Sequence, residues 1–583
     1  MRKVIPVIAM LIGAIALFIG IGQKTFWAPP ETVTASMPAF EGTAPLTVVE
    51  PSINDPEIAP VELKIQSEGA FTASLGRSYD VEAWVADAQH ISLTGIDREV
   101  HQLQAELVEG EAEVPNPAGA DIFFDSQDAE GEMTYRWTAP DNGSWSLLLA
   151  ADGKAAAPAT ISVTYLNDAT MPWALPLIIV GILLIVGGVA LLVIRPSKST
   201  NRTQHSLALV AILGLGLSGV MIPAAPSEDA SESPSESAEQ SEQSTEEGAE
   251  SSAPASEEAE DSAQPTEEAQ PSASEVPAEQ TTTTFPVITE EQLERILADT
   301  KSVVAKADES HEAKDLEARA AGGFRWMRDK RYSILKEDIE IAQPDALNTE
   351  VVRSAAVPNT SEAKFPRVIN VVTAKDSDPN TLPTAMTLIQ NGPRDNYKVV
   401  FASQMLPASS FPGIAVGDPA VKQMAADVDS LSIKPQDAVK QLAEVLTDEK
   451  SEHAERFAES EFIKAIHAGQ KAEKEAANEA NVKYTRKASD KETYVLSTPD
   501  GGAIVTGMIN STTTFERTED SDPLEGTDEL TKALLGSSSS RGDVAINYAE
   551  PVMFYIPAGG SEDKVQLIAG EVALLEVKQV EED

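Results

Sequence analysis

Three uncharged apolar runs constrain this chain more than any other feature. They occupy residues 4–22, 173–194 and 206–222. A bilayer core about 30 Å thick needs roughly 17–25 apolar residues in a helix, and each run reaches or approaches that length. Backbone polar groups in hydrocarbon must be satisfied within the segment, so each run is expected to be a helix. Arg2 and Lys3 precede the first run, and Arg195, Lys198 and Arg202 lie between the second and third. Cations stay on the cytoplasmic side. The N-terminus and the loop 196–205 are then expected inside, with residues 23–172 and everything after about residue 223 outside. Trp27 and Trp173 flank the first two runs, where amphipathic rings favour the interface.

Two processing events compete with this topology. A basic start and an apolar core also describe a signal peptide, but no small-x-small cleavage site follows the first run, so an uncleaved helix is preferred. The third run ends in Met221-Ile222-Pro223-Ala224-Ala225-Pro226, which resembles a cleavage region; the uncut form is again preferred. Gly214 and Ser218 have small-xxx-small spacing, read here as ordinary spanning-helix composition rather than a packing motif.

The net charge is −49, a field that repels nucleic acid, so no nucleic-acid partner is expected. Residues 226–284 hold 17 Asp or Glu and no Lys or Arg, about a third of the imbalance. With no aromatic residue and little apolar surface, this stretch is expected to be a disordered acidic tether. The chain has no cysteine, which excludes disulfides, thiolate metal sites and a lipidated Cys anchor.

Outside the runs, residues 61–170 carry period-two alternation. Met133, Tyr135 and Trp137, then Trp145, Leu147 and Leu149, then Ile161, Val163 and Tyr165 each place one face inward. Asp141-Asn142-Gly143 marks a tight turn between two of these strands. The expectation is an antiparallel β-sandwich. Trp137 and Trp145 are assigned to its core rather than to a ligand platform.

The C-terminal half reads as an internal pair, 286–430 and 433–583. The first part opens with Thr289-Glu290-Glu291 before Leu293, Ile296, Leu297, Val303 and Val304 at helical spacing. The second opens with Lys434-Pro435 before Ala438, Val439, Leu442 and Val445, and a longer helix is expected over about 451–482. Strands follow in both, and Asp376-Ser377-Asp378-Pro379 recurs as Asp520-Ser521-Asp522-Pro523. Helices before a sheet is an α+β plan, and it resembles two tandem NTF2-like or cystatin-like cones. The expected order is a transmembrane helix at 1–22, a linker at 23–60, the sandwich at 61–170 and a transmembrane helix at 171–195. A basic loop at 196–205, a transmembrane helix at 206–223, the acidic linker at 224–285 and the two α+β repeats complete it.

Leu316, Arg319, Gly323, Arg328 and Tyr332, then Phe365-Pro366-Arg367 and Tyr397-Lys398, carry a resemblance over about residues 286–450. The region resembles an actinobacterial group of membrane-anchored proteins whose C-terminal domain has no assigned function. No activity or site residue follows from it.

One local anomaly stands out. Arg325, Trp326, Arg328, Lys330, Arg331 and Tyr332 bring four cations and two aromatics into eight positions of an acidic protein. Such a cluster suits an anionic partner, with Arg making paired hydrogen bonds; acidic faces of the same chain are the competing, favoured partner. Two Ser-x-x-Lys matches, Ser333 to Lys336 and Ser361 to Lys364, lack the companion motifs of penicillin-binding proteins. His90, His101, His205, His311, His453 and His467 show no metal-ligand spacing. Asp376, Asp378 and Asn380 begin like a calcium loop, but Thr381 and Thr387 stand where Gly and Glu are needed. Arg541-Gly542-Asp543 is too short a match to an adhesion tripeptide to count. No catalytic, cofactor or metal site is expected. The reading is a non-enzymatic membrane protein of the cell envelope that binds or positions an envelope protein or wall component. An accessory subunit of a transporter or wall-polymer assembly, and an enzyme using an NTF2-like pocket, are the alternatives.

Overall fold

A computed structural model describes residues 4–193 and 283–580, apart from 39–41, 55–60, 139–142, 168, 338, 340, 376–379, 478–479, 519–521 and 527–528. The third apolar run, the basic loop, nearly all of the acidic tether, His205, Asp141-Asn142, the whole of Asp376-Ser377-Asp378-Pro379 and the first half of Asp520-Ser521-Asp522-Pro523 lie outside the described residues. Helix α1 (Val4–Lys24) comes first. The strands β1 (Thr32–Ser36), β2 (Leu46–Val49) and β3 (Glu62–Arg77) follow, then the short helix α2 (Ser78–Val85). Next are β4 (His90–Asp97), β5 (Gln102–Val108), β6 (Asp125–Arg136), β7 (Trp145–Ala150) and β8 (Thr160–Leu166), and then helix α3 (Ala174–Val193). The chain divides into two compact units, the apolar helices with their flanks and everything else described.

In the first unit, α1 and α3 are both long and apolar enough to cross a membrane. They pack antiparallel along a seam of small residues. Pro6, Gly13 and Gly20 are buried on α1, and Ala174, Gly181 and Gly188 on α3, each set spaced by seven. A Cβ on Gly13 would lie 2.8 Å from the Gly181 carbonyl oxygen, and one on Gly20 would lie 2.9 Å from that of Ala174. Lipid tails are as apolar as leucine, so helices in them associate through close backbone approach, which only small residues permit. The motif assigned no packing role in the third run thus has a counterpart in the first two, at heptad rather than four-residue spacing.

In the second unit, one sheet with the order β6-β3-β7-β2-β4-β5-β1-β8 curls until β8 pairs back onto β3. The expected two-sheet antiparallel sandwich is instead a single sheet closed on itself as a seven-stranded barrel. It contains parallel pairings, β2 with β4 and a short β1–β5 contact. Twist makes such closure possible, and closure removes the edges that would otherwise invite pairing with other chains. Residues 32–36 and 46–49, expected as linker, supply two of the strands. Their brevity and the flanking prolines hid them. Strand β6 lies outside the ring against β3, and its row of acids, including Asp128, Glu130 and Glu132, keeps that edge charged. Leu63, Ile65, Leu147, Leu149, Ile161, Val163, Trp137 and Trp145 fill the barrel, as the alternation required.

The C-terminal domain opens with β9 (Phe285–Pro286), α4 (Glu290–Ser310) and α5 (Gly322–Leu335). Thr289 and Gln292 form a reciprocal capping box at the start of α4. Strands β10 (Val351–Ala356), β11 (Asn359–Thr360), β12 (Arg367–Ala374), β13 (Thr384–Gln390), β14 (Lys398–Gln404) and β15 (Gln423–Met424) follow. The second half places α6 (Pro435–Thr447) and α7 (Glu461–Ala476) before β16 (Asn481–Ala488), β17 (Tyr494–Ser497), β18 (Ala503–Glu516) and β19 (Leu524–Glu525). Helix α8 (Glu529–Leu535) and strands β20 (Ser539–Ser540), β21 (Val544–Ile556), β22 (Gln566–Gly570) and β23 (Ala573–Gln579) complete it. Helix α7 is shorter than expected because Ser460 caps it.

Both halves put two helices before an antiparallel sheet. Ile369, Val371, Met386 and Leu388 face α4 and α5, while Val368, Val372, Ala385 and Ile389 on the same strands face Ile504, Leu496 and Met553 of the second sheet. The result is helix, sheet, sheet, helix in four layers. Strands β12 and β13 are buried at every position, because each of their faces meets another layer. Polar bridges also cross the contact between sheets: the Thr387 and Thr506 hydroxyls lie 2.7 Å apart, and the Val368 N–H donates to Gln423 Oε1 at 3.1 Å.

Candidate functional site

The expected cluster lies on α5, and helical spacing splits it between two faces. Phe324, Met327, Arg328 and Tyr332 point inward. Arg328 donates to the Asp308 carboxylate and, at 2.6 Å, to the Asp345 carbonyl. The Tyr332 hydroxyl donates to the same Asp308 at 2.6 Å; burial first, and that carboxylate second, push its phenol pKa up. Arg331 donates to the Ala342 carbonyl, 3.0 Å from its Nε. Arg325 pairs with Glu317 at 2.9 Å. Three of the six named residues, Arg328, Arg331 and Tyr332, are therefore engaged in holding α5 to α4 and to the segment before β10. Trp326 stays exposed and Lys330 half-buried on the outer face.

A second constellation, which the sequence reading did not single out, joins the barrel to the C-terminal domain. Its barrel side is α2 and the segment 120–124. Asp80, in the first turn of α2, receives both arms of Arg367, the first residue of β12. Both side chains are nearly inaccessible, 4% and 2% exposed. At the other end of α2, Arg394 donates to the carbonyl oxygens of Trp84 at 2.8 Å and Val85 at 2.9 Å. The last carbonyls of a helix have no partner within it and carry the negative end of its dipole, so a guanidinium there satisfies both needs.

Asp121 is fully buried. Its carboxylate accepts from Arg319 and, at 2.8 Å, from the Tyr397 backbone N–H. Its own N–H donates to Asn396 Oδ1 at 3.0 Å, and its carbonyl accepts from Gln292 at 2.9 Å. Arg319 also pairs with Asp299 at 2.7 Å. Arg295 donates to the Phe123 and Phe124 carbonyls at 2.7 and 3.2 Å. Arg77 of the barrel lies between the rings of Trp145 and Phe285, 4.2 and 3.8 Å from their centroids, so the residue that leads into the C-terminal domain is held on the barrel.

The electrostatics follow from burial. Desolvation pushes the Asp80 carboxyl up, and the facing Arg367 opposes that push. Buried charges are tolerable only when paired and hydrogen-bonded; Arg319 and Arg367 of the C-terminal domain serve that purpose for Asp121 and Asp80 of the barrel, while Arg295 and Arg394 satisfy barrel-side carbonyls. Arg319, Arg367 and Tyr397, quoted above for the resemblance, all sit in this contact. Asp80, Asp121, Arg295 and Arg394 were missed. The available signal was Asp121 itself, a lone carboxylate in Ala120-Asp121-Ile122-Phe123-Phe124, where apolar neighbours force burial.

This arrangement binds domains to one another; it presents no nucleophile–base pair. Among the described residues, no group of His, Asp and Glu is placed to hold a metal ion. A groove of about 600 Å³ runs between α4 and β10, lined by Leu293, Leu297, Val351 and Val352 with Glu290 and Glu294 at its rim. It contains no histidine.

Comparison with known proteins adds one match. No curated protein and no solved structure matches the chain. A family model described as a domain of unknown function, DUF8094, matches residues 284–579, just over half of the 583 residues and the whole four-layered domain from β9 to β23. The chain belongs to the DUF8094 family.

Proposed function

We propose that the chain is a non-catalytic, membrane-anchored module of the cell envelope whose barrel and C-terminal domain act as one body to bind or position a partner outside the cytoplasm. The observation that carries this reading is the docking contact. Its ionisable groups are spent on one another, leaving a rigid surface rather than a reactive pocket. The helix pair α1–α3 supports a membrane anchor, and the cations at Arg2, Lys3, Arg195, Lys198 and Arg202 support an N-terminus on the cytoplasmic side. The third apolar run then returns the chain to the outer face.

Crosslinking in whole cells, followed by identification of captured proteins, tests the role directly. A reproducible envelope partner, lost when Arg319 and Arg367 are replaced, is the expected result. Capture that does not depend on the docking contact, or substrate turnover by the purified protein, would refute it. Orientation is tested separately: protease added to intact protoplasts should cleave the barrel and the C-terminal domain.

A further inference from the structure

The chain has six tryptophans. Trp137 and Trp145 are buried in the barrel at 6% and 4% exposure, Trp84 is buried on α2 at 1%, and Trp27 and Trp173 flank the apolar helices. Trp326 is the sixth, the only one in the C-terminal half, and it is 39% exposed on the outer face of α5. The core under α5 is completed by Phe324, Met327 and Tyr332 and does not use it. Trp326 lines a surface hollow of about 330 Å³ with Ala313, Gly322, Arg325 and Asp329. Ala313 carries only a methyl group, and the Glu492 carboxylate lies 2.8 Å from the position that a Cβ on Gly322 would take.

Charge narrows what this hollow accepts. Arg325 is already paired with Glu317, and Asp329 adds a second carboxylate. With Glu492 beside Gly322 as a third carboxylate, one cation against three anions disfavours an anionic ligand, while a guanidinium next to the indole disfavours a cationic one. An exposed aromatic ring with a carboxylate and a guanidinium at its rim fits a neutral polyhydroxyl ring. The electropositive C–H face of a pyranose lies against the negative face of the indole, and hydroxyls exchange hydrogen bonds with acceptor and donor at the edge.

We propose that this hollow is a binding site for a neutral saccharide, with Trp326 as its platform and Asp329 and Arg325 as its polar contacts. The inference rests on the reading of the chain as a non-catalytic envelope module, and names the chemistry of a ligand for it. The test is calorimetric titration of the detergent-solubilised full chain with cellotetraose, maltotetraose and the tetramer of N-acetylglucosamine, beside polyglycerol phosphate and choline. At least one neutral tetrasaccharide should bind. Trp326→Ala should weaken it by about tenfold or more, Asp329→Asn should weaken it less, and Trp326→Phe should largely retain it. Because Trp326 lies outside the core, the thermal midpoint should be unchanged in all three variants. Absence of binding by every neutral probe, binding indifferent to Trp326→Ala, or a preference for polyglycerol phosphate or choline would overturn the proposal. Partner capture in whole cells would still stand if the saccharide site failed, so the two readings fail separately.

Discussion

Asp121 and Asp299 share one guanidinium, yet their surroundings assign them different weights. Asp121 has no exposed surface, whereas the Asp299 side chain is 52% exposed. Removing one partner of a buried pair leaves an uncompensated charge, so Arg319→Ala should cost about 3–5 kcal/mol. Asp299→Ala should cost less than about 1 kcal/mol. Denaturant unfolding of the two variants measures the difference, and equal effects would contradict the burial argument. At a turn remote from the contact, the Asp500 carboxyl titrates below its ordinary range. Burial pushes it up, but hydrogen bonds from the Thr498 and Tyr555 hydroxyls and the Gly502 N–H outweigh that. A depressed folded pKa gives stability that is complete above the ordinary carboxyl value and lost as pH falls through the folded one. The thermal midpoint should therefore decline less steeply between about pH 5 and pH 2 in Asp500→Asn than in the parent.

At the level of elements, the α1–α3 seam makes a prediction about processing. If α1 is a lasting partner of α3, intact-mass measurement of the purified protein should find the sequence of α1 still attached; a start after residue 22 would contradict the pairing. The cysteine-free background allows a second measurement. Ile21→Cys and Trp173→Cys should be joined by a short bismaleimide, and Gly181→Leu should reduce the yield, because a larger side chain forces the backbones apart. Helix α2 is the corresponding element of the docking contact. It has eight residues, too few to be stable alone, and is held at its start by Arg367 and at its end by Arg394. Arg394→Ala should speed hydrogen exchange in α2 while leaving β7 protected.

For the molecule as a whole, the buried pairs predict that barrel and C-terminal domain melt together. A single transition should split in two in the Arg319→Ala, Arg367→Ala double variant, and the amides of Asp121 and Tyr397 should lose exchange protection. How much of this was legible follows from the range of each interaction. Leu147, Leu149, Ile161 and Val163 announced their strands because alternation is local, and Thr289 with Gln292 announced the start of α4 because a cap acts within one turn. Closure of the sheet through β8 onto β3 was not legible, since Leu63 meets Val163 only after twist has brought distant strands round. The α5 cations were visible as a cluster, but Asp308 and Asp345, which engage Arg328, lie at separations no spacing rule encodes. By itself, the sequence determined the first two apolar helices, the half-buried strands and the helix starts, because propensity and periodicity act over a few residues. Only the tertiary structure decided that Asp80 and Asp121 would find Arg367 and Arg319, because a buried charge settles wherever the folded chain can neutralise it.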